Sequence, residues 1–231
     1  KTGVLPELHA PCFHHRAKAC RQRGMLDDAE EYYVRAMTLY TKAGHQHGVA
    51  DCLHGLGRTY EQRGRYDGAA EMLKKALTSY SEMGAELDRA HCLQALSLVS
   101  QRIGDLATAG VIEGEALMRF RELGSRSGEA ASLRGLARIA RLRRNFVESR
   151  EYSEQALILF EQLGDPMGQQ SCINGLAELA RFEGKLEEAE RGYRAALGIA
   201  LSIGASESIL PRINLALVVL KMGRYSEAWS M

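Results

Sequence analysis

Proline and aromatic side chains are scarce in this chain of 231 residues: four prolines, and 6% Phe, Trp and Tyr. So few of both argues against a β-sandwich, and an apolar content of 45% argues against a disordered chain. No excess of one charge is present either. Thirty basic residues face 29 acidic ones, which leaves no global field for nucleic acid or an anionic membrane. Long hydrophobic runs are missing as well. The longest, residues 209–222, is interrupted by Pro211, Arg212, Asn214 and Lys221 and is too short to span a bilayer. No basic segment followed by an apolar one marks a signal peptide. Five cysteines, an odd number without an export signal, point to reduced thiols and a cytoplasmic location. A start at Lys1 rather than Met is expected of a piece of a longer protein.

What the chain does have is a period. Glycine recurs at 44, 84, 124, 164 and 204, and alanine at 36, 76, 116, 156 and 196, each step being 40 residues. Tyr40, Tyr80, Phe120 and Phe160 follow those alanines, with Ala200 in the last place. A further ladder runs Gly24, Gly64, Gly104, Arg144, Gly184 and, one residue short, Gly223. Between these markers apolar residues fall at helical spacing: Leu53, Leu56, Gly57 and Tyr60 on one stripe, Ala69, Leu73, Ala76, Leu77 and Tyr80 on another. The pattern predicts a helix, a turn at Gly64, a second helix and a glycine stop at Gly84. Neither helix can bury its stripe alone, so the units must stack. The expected fold is all-α: an α-solenoid of antiparallel helix pairs, one domain over 1–231. Six repeats are expected at 8–44, 48–84, 88–124, 128–164, 168–204 and 206–231, the last one cut short, with its missing residue in the loop near Ala205 to Pro211.

On these residues the chain resembles the tetratricopeptide repeat family. Leu53, Leu56, Gly57 and Tyr60 match its first-helix pattern, and Ala69, Leu73 and Ala76 its small–large–small second helix. The 40-residue length and the glycine stop are similar to the long repeats of LGN/Pins adaptors and of bacterial signalling ATPases, kinases and transcription regulators. The resemblance implies a right-handed superhelix with first helices lining a concave groove, and a role in binding protein partners.

Motifs that suggest chemistry dissolve into the repeat. Gly55 and Gly57 could open a phosphate loop, but their counterparts are Ala95 and Ser97, Gly135 and Ala137, Gly175 and Ala177. Where Ala and Ser substitute, the backbone needs little room rather than a positive φ, and no third glycine or preceding strand completes a nucleotide fingerprint. Cys12, Cys52, Cys92 and Cys172 share one column, on helices about 8–10 Å apart, whereas zinc needs its sulfurs about 2.3 Å from one point. Buried thiols are expected, with Cys20 packing in the aromatic column. His14 and His15 are neighbours about 100° apart on a helix and cannot share an ion. No metal, no cofactor and no catalytic group is expected, and the chain reads as a non-enzyme.

The groove remains. Positions −2, +2 and +5 from each Leu56-type residue read His14, Lys18, Arg21; His54, Arg58, Glu61; Gln94, Leu98, Gln101; Arg134, Arg138, Arg141; and Asn174, Glu178, Arg181. Seven of the fifteen are basic and two acidic in a chain that is otherwise balanced, so an acidic peptide or helical segment is the expected partner. Arginine suits carboxylates because its planar fork donates two parallel hydrogen bonds. The chaperone-tail clamp of the family is not implied, since Gly55, Ala95 and Gly135 stand where it would use Asn. With Phe146 as the one aromatic near the Arg134–Arg144 run, nucleic acid is not the expected ligand. Beyond a scaffold role, the chain could serve as a ligand-responsive sensor in a larger signalling protein. The apolar 209–222 edge is expected to receive further repeats or a second copy, and Trp229 to be core.

Overall fold

The structure is a computed structural model that describes residues 6–204 and 209–230. The loop expected to carry the missing residue of the sixth repeat falls on 205–208, outside the described residues. Twelve helices and no strand occur among the described residues. The chain divides into two compact units, Lys1–Arg119 and Phe120–Met231.

In the N-terminal unit the helices are α1 (Pro6–Gln22), α2 (Leu26–Lys42), α3 (Gln46–Gln62), α4 (Tyr66–Glu82), α5 (Glu86–Arg102) and most of α6 (Leu106–Glu122). The C-terminal unit holds α7 (Arg126–Leu142), α8 (Phe146–Leu163), α9 (Pro166–Phe182), α10 (Leu186–Ile203), α11 (Ile209–Lys221) and the short α12 (Tyr225–Trp229). Within the N-terminal unit α1 packs on α3, and α3 on α5; within the C-terminal unit α7 packs on α9, and α9 on α11. Successive first helices therefore line one face of each unit, its inner face.

Alanines let the helices approach. Ala69, Leu73 and Ala76 are fully buried on α4 with Tyr80 1% exposed, and they join Cys92, Leu96 and Val99 of α5 in one apolar cluster. Burying such side chains contributes about 1.5–3 kcal/mol for each large one. Helix ends follow the glycine ladder. At the end of α3 the Arg65 amide donates to the Tyr60 carbonyl (2.9 Å) and Gly64 to Glu61 (3.0 Å), the reciprocal closure that needs a left-handed residue. Gly64 supplies it at φ +75°.

Arg144 occupies the same place at the end of α7, with φ 62° and the same pair of bonds, Asn145 to Ala140 (2.9 Å) and Arg144 to Arg141 (3.0 Å). A side chain costs about 1–2 kcal/mol in this conformation, of which glycine returns all but the entropy of its freer unfolded chain, about 0.5–1 kcal/mol. Arg144→Gly is accordingly expected to stabilise the protein by about 0.5–1 kcal/mol, read as a higher urea midpoint at unchanged slope. A lower midpoint would contradict the strain.

Two core expectations are corrected. Cys12 is exposed, unlike Cys52, Cys92 and Cys172 in its column, because no helix covers that face of α1 among the described residues. Trp229 is 94% exposed rather than core, since no other element among the described residues packs over its ring.

Candidate functional site

Gly55 and Gly57 lie inside α3 with ordinary helical backbone, so they cradle no phosphate. A Cβ on Gly55 would stand 2.4 Å from the Tyr33 ring, and one on Gly57 2.6 Å from Leu73. The motif is a seat for the second helices on either side.

That seat shapes the inner face of the N-terminal unit. Tyr33, 2% exposed, forms its floor against Gly55. The His14 ring lies 5.6 Å from the Tyr33 ring, and the Arg21 guanidinium sits beside the phenol. His54, next to Gly55, turns its ring edge-on to Tyr80 at 6.5 Å and 90°. Arg58, one turn further along α3, reaches solvent while still close enough to Arg21 for the two charges to oppose each other.

The electrostatics are one-sided. Burial pushes the His54 imidazole down to about 3, and Arg58, His91, Arg21 and His14 all push the same way. Burial also lowers His14, with Asp51 opposing and His15 and Lys18 adding to the fall. Arg58 is lowered by burial and then by Arg21, with Tyr33 and Glu61 opposing. Glu61 is itself engaged, its Oε1 accepting from Arg102 Nε at 2.9 Å. Two nitrogens of this group, Arg21 Nε and His54 Nε2, are buried and make no hydrogen bond. Leaving such a group unpaired costs about 1–3 kcal/mol. Arg21 departs from expectation in being 8% exposed, drawn inward by Tyr33.

The other expected residues of this unit are dispersed. Lys18 is exposed, Gln94 is half-buried, and Gln101 donates to Ser97 Oγ at 3.3 Å with its Oε1 buried and unpartnered. At the outer end of α3, His47 bridges Asp51 (3.3 Å) and Asp88 (3.1 Å), while Tyr80 donates to Asp51 at 2.7 Å. Burial alone would lower the His47 pKa, but Asp51 and Asp88 together outweigh it and hold it above the usual value.

In the C-terminal unit a carboxylate that sequence columns also placed inward changes the balance. Glu178 Oε1 is 2.8 Å from Arg141 Nη1 and 3.7 Å from Arg181 Nη2, each side chain about one-fifth exposed. Arg134 lies over the Phe160 ring, 5.3 Å from its centroid, and Arg138 is exposed. Asn174 accepts from Asn214 Nδ2 at 3.1 Å.

Counting back from the Gly223 turn places Ile213, Leu217 and Leu220 of α11 in the groove columns, each about half exposed. The one-residue shift between Gly204 and Gly223 hides them from a fixed 40-residue count. The 209–222 edge therefore presents an apolar row on its inner side.

Residues 10–82 match the sequence model of the tetratricopeptide repeat family. No curated protein matches the chain in sequence. Among solved structures, BtubC (BKLC) from P. vanneervenii is 20% identical, with 91% of this chain and 86% of that one covered and a TM-score of 0.71. A signal transduction ATPase with numerous domains, carrying a tetratricopeptide repeat sensor, from Pyrococcus horikoshii is 18% identical at TM-score 0.75, covering 96% of this chain and 35% of that one. A Rap protein complexed with competence and sporulation factor is 14% identical at TM-score 0.77, covering 99% of this chain and 73% of that one. At these identities the likeness is one of fold. Among the described residues no helix is long and apolar enough to cross a membrane.

Proposed function

We propose that these repeats, which belong to the tetratricopeptide superfamily, form a protein-interaction module that holds an acidic peptide or helical segment on its inner face and carries out no chemistry of its own. The observation that carries this reading is the N-terminal inner face, where Arg21, His54 and Arg58 gather around Tyr33 and the one nearby groove carboxylate, Glu61, is taken by Arg102. Such a face attracts an extended chain of Asp and Glu, whose carboxylates accept the paired N–H groups of a guanidinium. In the C-terminal unit Arg134 offers a guanidinium over the Phe160 ring. Arg141 and Arg181, already bridged by Glu178, contribute one net charge together.

Titration of an acidic peptide partner against Arg58→Glu plus Arg134→Glu is expected to weaken binding at least about tenfold, with the wild-type affinity falling as salt is raised. Unchanged affinity in the double variant would overturn the basic-face reading.

A second reading is favoured by the Pyrococcus horikoshii neighbour, whose repeats are described as a sensor. The same inner face would then bias an attached signalling domain, a kinase, an ATPase or a transcription regulator, by favouring one conformation of the repeats. Ligand-dependent activity of such a domain in the full-length polypeptide separates sensor from scaffold.

A further inference from the structure

Two of the three buried, unpartnered side-chain nitrogens of the N-terminal unit share one place, the third being Arg89 Nε on α5. Arg21 Nε and His54 Nε2 are both buried without a hydrogen-bond partner, and both belong to the group around the Tyr33 ring that also contains His14 and Arg58. Buried polar atoms find partners almost everywhere in proteins, and an orphan in a preformed site marks where a ligand atom belongs. Arg21 Nε always carries a hydrogen, so its absent partner is an acceptor, and the neutral His54 ring adds a second donor there in the tautomer that places its hydrogen on Nε2. The guanidinium charges of Arg21 and Arg58 favour a negative acceptor.

The side chains are also held in place before any ligand arrives. Tyr33 cannot move toward α3, because Gly55 already meets its ring with no Cβ between them. His54 is fixed edge-on against Tyr80, whose hydroxyl is anchored by Asp51. The two acidic groups near the cluster have other occupations: Glu61 holds Arg102, and Asp51 holds Tyr80 and His47. Neither gives a hydrogen bond to Arg21 Nε or His54 Nε2.

We infer that Arg21, His54 and Arg58 form a built oxyanion site on the inner face of α1 and α3, taking a carboxylate or a phosphate with two or more acceptor oxygens. Arg58 supplies the exposed fork that captures the anion, and Arg21 Nε and His54 Nε2 donate to it from beneath. This deepens the reading above and rests on it for the source of the anion, an acidic side chain of the bound segment.

The test uses the whole chain and the His54 ring as reporter, followed by NMR at constant ionic strength. Inorganic phosphate and a blocked tri-glutamate peptide are titrated separately, against chloride as the reference anion. The expected result is a saturable shift of the His54 resonances with the glutamate peptide, a rise of at least one unit in the His54 pKa when it is bound, and at least a tenfold weaker response in Arg58→Gln. Arg21→Met, which keeps the stem in the core, should weaken it similarly while the circular dichroism stays that of the wild type. A saturable shift with phosphate alone would support the site and assign it to phosphate instead of carboxylate. Absence of a saturable shift with either anion, or an equal shift in Arg58→Gln, would overturn the site. If at the same time a longer acidic peptide still bound and lost affinity in Arg134→Glu, the acidic-partner reading would stand without this site.

Discussion

Gly55→Val is expected to destabilise the protein by about 3 kcal/mol or more, enough to unfold a marginal repeat stack. One added carbon would already lie 2.4 Å from Cε1 and Cζ of Tyr33, and valine brings three. The ring is 2% exposed and has no free volume to enter. Better helix propensity returns only about 0.5 kcal/mol. Urea denaturation provides the measurement, and a double-mutant cycle with Tyr33→Ala identifies the cause. With the ring removed, Gly55→Val should cost less than about 1 kcal/mol, a coupling of about 2 kcal/mol. Additive effects would show that the glycine matters for some other reason. The neighbouring repeat supports the pairing: Leu73 replaces the tyrosine, Ala95 replaces the glycine, and both belong to one apolar cluster.

Stability is expected to fall as pH drops below about 6.5, by about 1.4 kcal/mol per unit for His54 alone. The folded imidazole is held neutral down to about 3, by burial first and then by Arg58, His91, Arg21 and His14. In the unfolded chain the same ring takes a proton near its ordinary value of 6.5. Between those limits the unfolded state binds more protons, so stability is complete above 6.5 and declines toward 3. His47 has the opposite sign. Its folded pKa is raised, so what it contributes is present below 6.5 and fades as pH climbs through that raised value. A thermal-melt series from pH 8 to 5 should therefore peak near 6.5. His54→Gln should flatten the acid side between 6.5 and 5, above the range in which carboxylates protonate. An unchanged slope in that variant would show that His54 is charged, or solvated, in the folded protein.

Much of this was legible in the chain itself. The glycine and alanine ladders placed the helices and turns, and they revealed Arg144 as a residue standing in a glycine position, which its φ of 62° bears out. The columns at −2, +2 and +5 were legible too, since they recur on one face of every first helix. What each charge encounters there was not. Glu178 answers two arginines, Arg102 takes Glu61, and Arg21 is drawn beneath the surface by Tyr33. These contacts join side chains dozens of residues apart, and their outcome depends on ångström-scale reach that no column encodes. Trp229 and Cys12 were misread for a related reason: a column describes a residue whose neighbours are all in place, and theirs are not.

The sequence by itself determined the helices, the turns and the small residues that let helices touch, because these are local demands of backbone conformation and volume repeated every 40 residues. Only the tertiary structure decided which cations are answered and which are left with buried, unpartnered donors. Hydrogen bonding and charge pairing are settled between helices, where position matters more than composition.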